Sequence, residues 1–219
     1  MLKPRKILEV GNSGLLLLVF VTIFIVPVFP LTWHNLAYPV LFTLIYLISA
    51  TAVQTQRMNI LLLAVSLAAI NWASDMLGLV ILDRISRYFT LIFFIIIVFK
   101  LIIQIATVKR VTAQVILEAI NSYLLLGMAF AIIIGLIVEI DPQSFSFKTD
   151  IITDPAISNF SEIVYYGFVT MSTLGYGDIV PLTPVAKSVA ILTAVGGQIY
   201  IAVILALLVG KYAGAVTNK

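Results

Sequence analysis

Residues 170–178 read Thr-Met-Ser-Thr-Leu-Gly-Tyr-Gly-Asp. Hydroxyls stand at Thr170, Ser172 and Thr173, two glycines flank Tyr176, and the Asp178 carboxylate closes the string. Ligation by oxygen is the chemistry these groups offer. Glycine reaches positive φ at little steric cost. Gly175 and Gly177 therefore allow a backbone that alternates in hand and turns successive carbonyls toward one axis. Alone, a Gly-x-Gly is simply a turn, so the meaning of the string depends on what surrounds it. Other chemistries are scarce. The chain has no cysteine, which excludes disulfides, thiolate metal sites and cysteine nucleophiles. Its single histidine, His34, cannot build a histidine-rich metal site or a triad. Beside Trp33, it reads as a loop residue at a membrane boundary. No basic tract interleaves with aromatics, so nucleic acid is not an expected partner.

The elements around the string are those of a membrane protein. Of 219 residues, 62% are hydrophobic and 11% charged, whereas soluble domains average about 45–50% and about 25%. A spanning helix needs about 20 mostly apolar residues. Six runs qualify, at 14–31, 36–53, 59–82, 88–108, 115–138 and 185–210. The first follows Lys3, Arg5 and Lys6, but it is too long for a signal-peptide core and lacks a small-residue cleavage site. With six spans both termini share a side. That side collects Lys3, Arg5, Lys6, Arg57, Lys109, Arg110, Lys211 and Lys219. Basic residues favour cytoplasmic loops, so both termini are expected in the cytoplasm. Residues 139–158 are polar and read as an extracellular loop. Asn159-Phe160-Ser161-Glu162 then forms a capping-box pattern. The apolar run that follows, 163–171, is too short to cross. It is expected to enter the membrane and return, which a backbone tolerates only when buried in protein or lining water.

In that setting Thr173-Leu174-Gly175-Tyr176-Gly177 resembles the selectivity-filter signature of potassium channels, and the layout resembles the six-helix members of that family. The resemblance is close over 115–210 and rests only on number and position for the first four helices. It implies an all-α membrane protein with a re-entrant pore helix, assembled as a homotetramer in the lipid bilayer. Residues 1–110 would form a charge-depleted, sensor-like peripheral domain and 111–219 the pore domain. Backbone carbonyls of Thr173, Leu174, Gly175, Tyr176 and Gly177 would replace the hydration shell of K+. Thr170, Ser172, Asp178, Tyr165 and Tyr166 would support the filter, with one tyrosine bonding Asp178. Tyr165 and Tyr166 stand where many members carry paired tryptophans, and Val169 where some carry glutamate. Leu174 replaces a commoner valine and Ser172 a common threonine. Gly196 and Gly197 are hinge candidates in the last helix, with close helix packing as the competing reading. Thr193 and Gln198 would face the water-filled cavity or bond a neighbouring helix.

The fourth run tests the comparison with voltage-gated members. Arg84 and Arg87 keep a three-residue spacing, but Thr90, Phe93, Ile96 and Phe99 continue it uncharged, and Lys100 is out of register. Moving charge across the field is what supplies voltage dependence, about 2.3 kcal/mol per charge per 100 mV. A degenerate sensor is expected, with Arg84, Arg87, Lys100 and Asp75 as its remnants and Asp75 paired with Lys100. The expected activity is passive K+ conduction with little or no voltage gating, without a cofactor and not as an enzyme. No sensor domain is expected beyond the last helix. The expected location is a prokaryotic plasma membrane. Three other readings compete: a nonselective monovalent cation channel of the same fold, a potassium-translocating transporter subunit, and a modulatory subunit. Transporter subunits of that kind carry several filter-like loops, and this chain has one.

Overall fold

The structure, a computed structural model, describes residues 4–108, 110–147 and 160–217, without the side chains of residues 4–7, 31, 35, 75, 80 and 214–217. The described residues form seven α-helices: α1 Pro4–Phe20, α2 Leu31–Ala52, α3 Arg57–Leu77, α4 Val80–Thr107, α5 Ala113–Ile140, α6 Phe160–Met171 and α7 Pro184–Thr217. Six stretches are long and apolar enough to cross a membrane, and α6 is not among them. The six alternate in direction. One end of the bundle, the terminal end, gathers the start of α1, the α2–α3 turn and the α4–α5 link. The far end gathers the α1–α2 and α3–α4 turns and the close of α5.

Helix limits follow local chemistry. α1 widens to a π turn at Val21–Ile25 and tightens to a 3-10 turn at Val26–Val28, where Pro27 has no N–H to donate. α3 ends at Leu77, short of the expected 82, because Gly78 adopts φ 61° and the Leu79 N–H returns to the Ser74 carbonyl. The apolar residues after Gly78 belong instead to α4, which starts earlier than its hydropathy indicates. His34 is not in a loop. It sits in the first turn of α2, 2% exposed, and its Nε2–H donates to the carbonyls of Val26 and Phe29, both at 3.0 Å. A backbone that turns inside apolar surroundings needs such a donor.

α5 is the central helix, packing against α1, α4, α6 and α7. Over half of its span (56%) is buried, against 22% for α7, so α7 leaves most of its surface bare. One continuous core runs from Leu15 and Ile45 through Phe93 and Phe94 to Met128, Ile163 and Ala186. The α1–α4 bundle therefore packs on the following helices of its own chain, across the boundary expected at 110.

Inside the bundle the sensor-like register is uncharged, with Thr90 and Phe93 buried. Thr90 bonds the Tyr46 hydroxyl at 2.9 Å, and Phe93 packs edge-on to Tyr46 with ring centroids 5.3 Å apart. The arginines sit at the far end. Arg84 Nε donates to Glu139 Oε1 at 2.8 Å. Arg87 donates to Asp83 Oδ2 at 2.6 Å and lies 3.4 Å from Glu139 Oε2. They tie the start of α4 to the close of α5. The backbone sets the expected partners Asp75 and Lys100 toward opposite ends of α3. Lys100 donates to Gln56 Oε1 at 2.8 Å, whereas Asp75 lies about 28 Å along α3 from Gln56 at 1.5 Å per residue. The Asp75 side chain lies outside the described ones. The sequence places both residues in apolar runs, but it does not show that they belong to opposite ends.

Candidate functional site

α6 lies antiparallel along α5 by fitting small residues against large ones. Gly127 lies beneath the Phe168 ring, Gly167 approaches the Ala131 backbone, and Gly135 faces Ile163. At its start, Phe160 packs against Tyr38 and Phe42 of α2. Asn159, the expected cap, lies outside the described residues. At its end, Met171 is fully buried, and α7 crosses there with Gly197 against the Met171 carbonyl and side chain. Gly196 faces the Phe130 ring of α5. Both glycines sit at close contacts, and α7 is an uninterrupted helix through them. Thr193 is buried and returns its hydroxyl to the Val189 carbonyl at 2.8 Å, while Gln198 lies on the bare face.

The string leaves α6 through bonds that turn its N–H groups inward. Ser172 N donates to Phe168 O at 2.9 Å and Thr173 N to Thr170 O at 3.0 Å. Leu174 N and Gly175 N both reach Val169 O, at 3.0 and 3.3 Å. Ser172 Oγ also returns to Val169 O, at 3.2 Å. Among the described residues, no hydrogen bond is accepted by the carbonyls of Thr173, Leu174, Gly175, Tyr176 or Gly177. Positive φ occurs at Thr173 (62°), Gly175 (54°) and Gly177 (79°), and not at Leu174 or Tyr176. The backbone thus alternates in hand at every residue. Gly175 and Gly177 were legible as positive-φ sites, but Thr173 was not. A β-branched residue in this region is a steric outlier, with a strain of about 1–3 kcal/mol.

Residues 172–178 are all exposed, between buried Met171 and buried Ile179. Tyr176 is 67% exposed and Leu174 55%. Behind the string, Tyr165 donates its hydroxyl to Asp178 Oδ2 at 2.6 Å. Tyr166 is buried, bonds Thr170 and meets Phe145 edge-on at 5.1 Å. The chain beyond Asp178 is fastened to the segment after α5. Val180 N donates to Ser146 Oγ at 2.8 Å, Ser146 N to Val180 O at 2.9 Å, and Leu182 N to Ser144 O at 2.8 Å. The polar character of residues 144 and 146 marked a loop in the sequence, not this brace.

The hydrogen bond to Asp178, with burial second, pushes the Tyr165 phenol up to about 12. A raised phenol keeps its proton, and its contribution is complete below its ordinary value of about 10 and fades as the pH rises through the folded value. The bond is therefore insensitive to the phenol's titration near neutrality. We expect Tyr165→Phe to free the outer end of the string and hasten the decline of current during sustained opening. The reversal potential should stay fixed, because the string's carbonyls are untouched. Paired recordings of the two proteins check both statements.

An ion-channel family model matches residues 122–213. The match runs from Ser122 in α5 through α6 and the string to Ala213 in α7, and α1–α4 lie before it. No curated protein and no solved structure matches the chain. The match supports an ion-channel family, and with it transport rather than catalysis. Six apolar helices together with an ion-channel domain are the marks of a membrane protein.

Proposed function

We propose that the chain is one subunit of a tetrameric channel that conducts K+ passively through the carbonyls of residues 173–177. The observation that carries this reading is the alternating backbone of the string. Positive φ at 173, 175 and 177 is accompanied by bonds from the N–H groups of residues 173–175 to α6 and by carbonyls that accept no bond among the described residues. Such carbonyls supply oxygen to a dehydrated cation without adding charge, so that ions also leave. One exposed strand of carbonyls cannot surround an ion. Four copies around an axis do, and they cover the string and Tyr176. In that arrangement α6 is the re-entrant pore helix, with the partial negative charge of its C-terminal end favouring a cation beneath the string.

The test is the reversal potential of the purified protein in a planar bilayer, with K+ on one side and Na+ on the other. A value close to the K+ equilibrium potential is expected. A value near zero with clear single-channel currents would make it a nonselective cation channel, with Leu174→Val the first change to try. The same recordings should give an almost flat conductance–voltage relation. The remaining arginines are held by Asp83 and Glu139, and Phe93 and Phe94 fill the centre of the bundle. A steep relation would overturn that expectation.

A further inference from the structure

At the terminal end, α1, α2, α4 and α5 meet around one carboxyl group. Glu118 of α5 is 1% exposed. Its Oε1 accepts from Gln104 Nε2 of α4 at 2.5 Å, from Gln114 Nε2 at 3.4 Å and from Asn12 Nδ2 of α1 at 3.5 Å. Asn12 and Gln104 also reach the Ala52 carbonyl of α2, at 3.5 and 3.4 Å. Asn121, fully buried, donates to the Asn12 carbonyl at 2.9 Å and to Asn12 Oδ1 at 3.3 Å.

What is left over is all of one kind. Glu118 Oε2, Asn121 Oδ1 and Gln114 Oε1 are buried acceptors with no donor, and no nitrogen of the cluster lacks an acceptor. Glu118 takes part in no ion pair among the described residues. Buried polar atoms almost always find partners, and a buried carboxylate without a cation is costly. A cluster short of donors is short of a proton. Glu118 and Asn121 are i, i+3 neighbours on one face of α5. A proton on Glu118 Oε2 turns one orphaned acceptor into a donor and removes the uncompensated charge, and Asn121 Oδ1 is an orphaned acceptor one turn on.

We propose that this cluster is a proton-binding site, with the proton carried on Glu118 Oε2 and shared with Asn121. Of the other described charged and titratable groups at this end, Tyr123 is half-buried against the Tyr200 ring, and the rest are engaged elsewhere or exposed. Arg57 donates to Val53 O at 3.0 Å and Lys100 to Gln56. Lys211 of α7 donates to the carbonyls of Ile105, Ala106 and Val108. Tyr200 of α7 donates to Ala119 O at 2.6 Å. Glu9 and Arg110 are exposed, and the side chains of Arg5, Lys6 and Lys109 lie outside the described ones. The site is joined to α7 through a single turn of α5. Ser122 donates to the Glu118 carbonyl at 2.8 Å, and its oxygen accepts from the Tyr200 hydroxyl, whose one proton is shared with the Ala119 carbonyl. Loss of the proton places a charge where α7 is anchored. A conformational equilibrium linked to one proton shifts by up to about tenfold per pH unit.

The experiment is infrared spectroscopy of the full chain in lipid vesicles, titrated across the neutral range. A carbonyl stretch of a protonated, buried carboxyl is expected in the native protein. It should be absent from Glu118→Gln and shifted in Asn121→Leu. Carbon-13 labelling of glutamate assigns the band in the native protein even where a variant fails to fold. Absence of such a band, or its persistence in folded Glu118→Gln, overturns the proposal. Current recordings give a second readout that rests on the channel reading: a pH dependence lost in Glu118→Gln. A band without any current would leave the proton site standing and count against the channel instead.

Discussion

Gly197→Ala is expected to abolish conduction and to lower the thermal midpoint of the purified protein by about 4–8 °C, whereas Gly196→Ala is expected to change either measure little. A methyl group at 197 meets the Met171 carbonyl and side chain at the end of α6. That carbonyl belongs to the backbone, one turn from the hydrogen bonds that shape the string, so it cannot swing aside. At 196 the obstacle is the far edge of the Phe130 ring, at 2.6 Å, which tilts more readily. Alanine favours a helix by about 1 kcal/mol over glycine, and overpacking costs about 1–3 kcal/mol or more. Against an immovable backbone the overpacking dominates. A net loss near 2 kcal/mol in a chain of this size corresponds to the shift stated. The pair of variants also separates two roles for the glycines. If Gly197 served only as a hinge, the alanine variant would be as stable as the native protein and altered only in opening. Differential scanning fluorimetry in detergent reads the first property and bilayer recording the second. A Gly197→Ala protein that melts with the native one would end the packing account.

Much of the fold was legible because it depends on composition along the chain. Six runs of apolar residues gave six helices, with limits displaced by as much as ten residues where polar residues open α1 at Pro4. A second error, between α3 and α4, arose where apolar residues continue through Gly78 and only the backbone hand of one residue separates the helices. The string was legible for a related reason. Glycine at 175 and 177 is a local requirement of alternating hand, and Asp178 lies within reach of the aromatic pair on α6. Thr173 escaped notice because no residue type announces that a β-branched side chain is forced into positive φ.

The Glu118 cluster was illegible for a different reason. Asn12, Ala52, Gln104 and Glu118 come from four helices, and each alone is an unremarkable polar or small residue. Only the packing of α1 and α4 on α5 brings them within hydrogen-bond reach. Lys211 is similar. In sequence it is a basic residue at the close of a span. In the fold it closes the carbonyl end of α4, which joins the bundle to α7 without any pattern in either helix. The arginines show the reverse case. Their spacing on α4 was plain, but Glu139, which holds them, lies in a helix the spacing says nothing about.

Gly177→Ala should eliminate K+ current while leaving the chain folded, because its effect falls on the string alone. The residue has φ 79°, and a Cβ built there meets no atom within 4 Å. Sterics with neighbours therefore contribute nothing in the single chain, and the cost is conformational. An L-residue in left-handed backbone loses roughly 1–2 kcal/mol. In the proposed four-fold assembly that becomes about 4–8 kcal/mol at one ring of carbonyls. The preceding turns already carry the strained Thr173, so the string has little left with which to absorb the change. The cheaper response is for residue 177 to reverse its hand, which turns a carbonyl away from the axis and removes one ring of oxygens. The mechanism is separable from loss of folding by chirality. D-alanine at 177, introduced by semisynthesis, adds the same methyl group but favours positive φ. Current restored by D-alanine and absent with L-alanine would assign the effect to backbone hand. Equal loss with both would mean that the methyl group itself blocks the path or the contact between subunits, and the conformational account would fail.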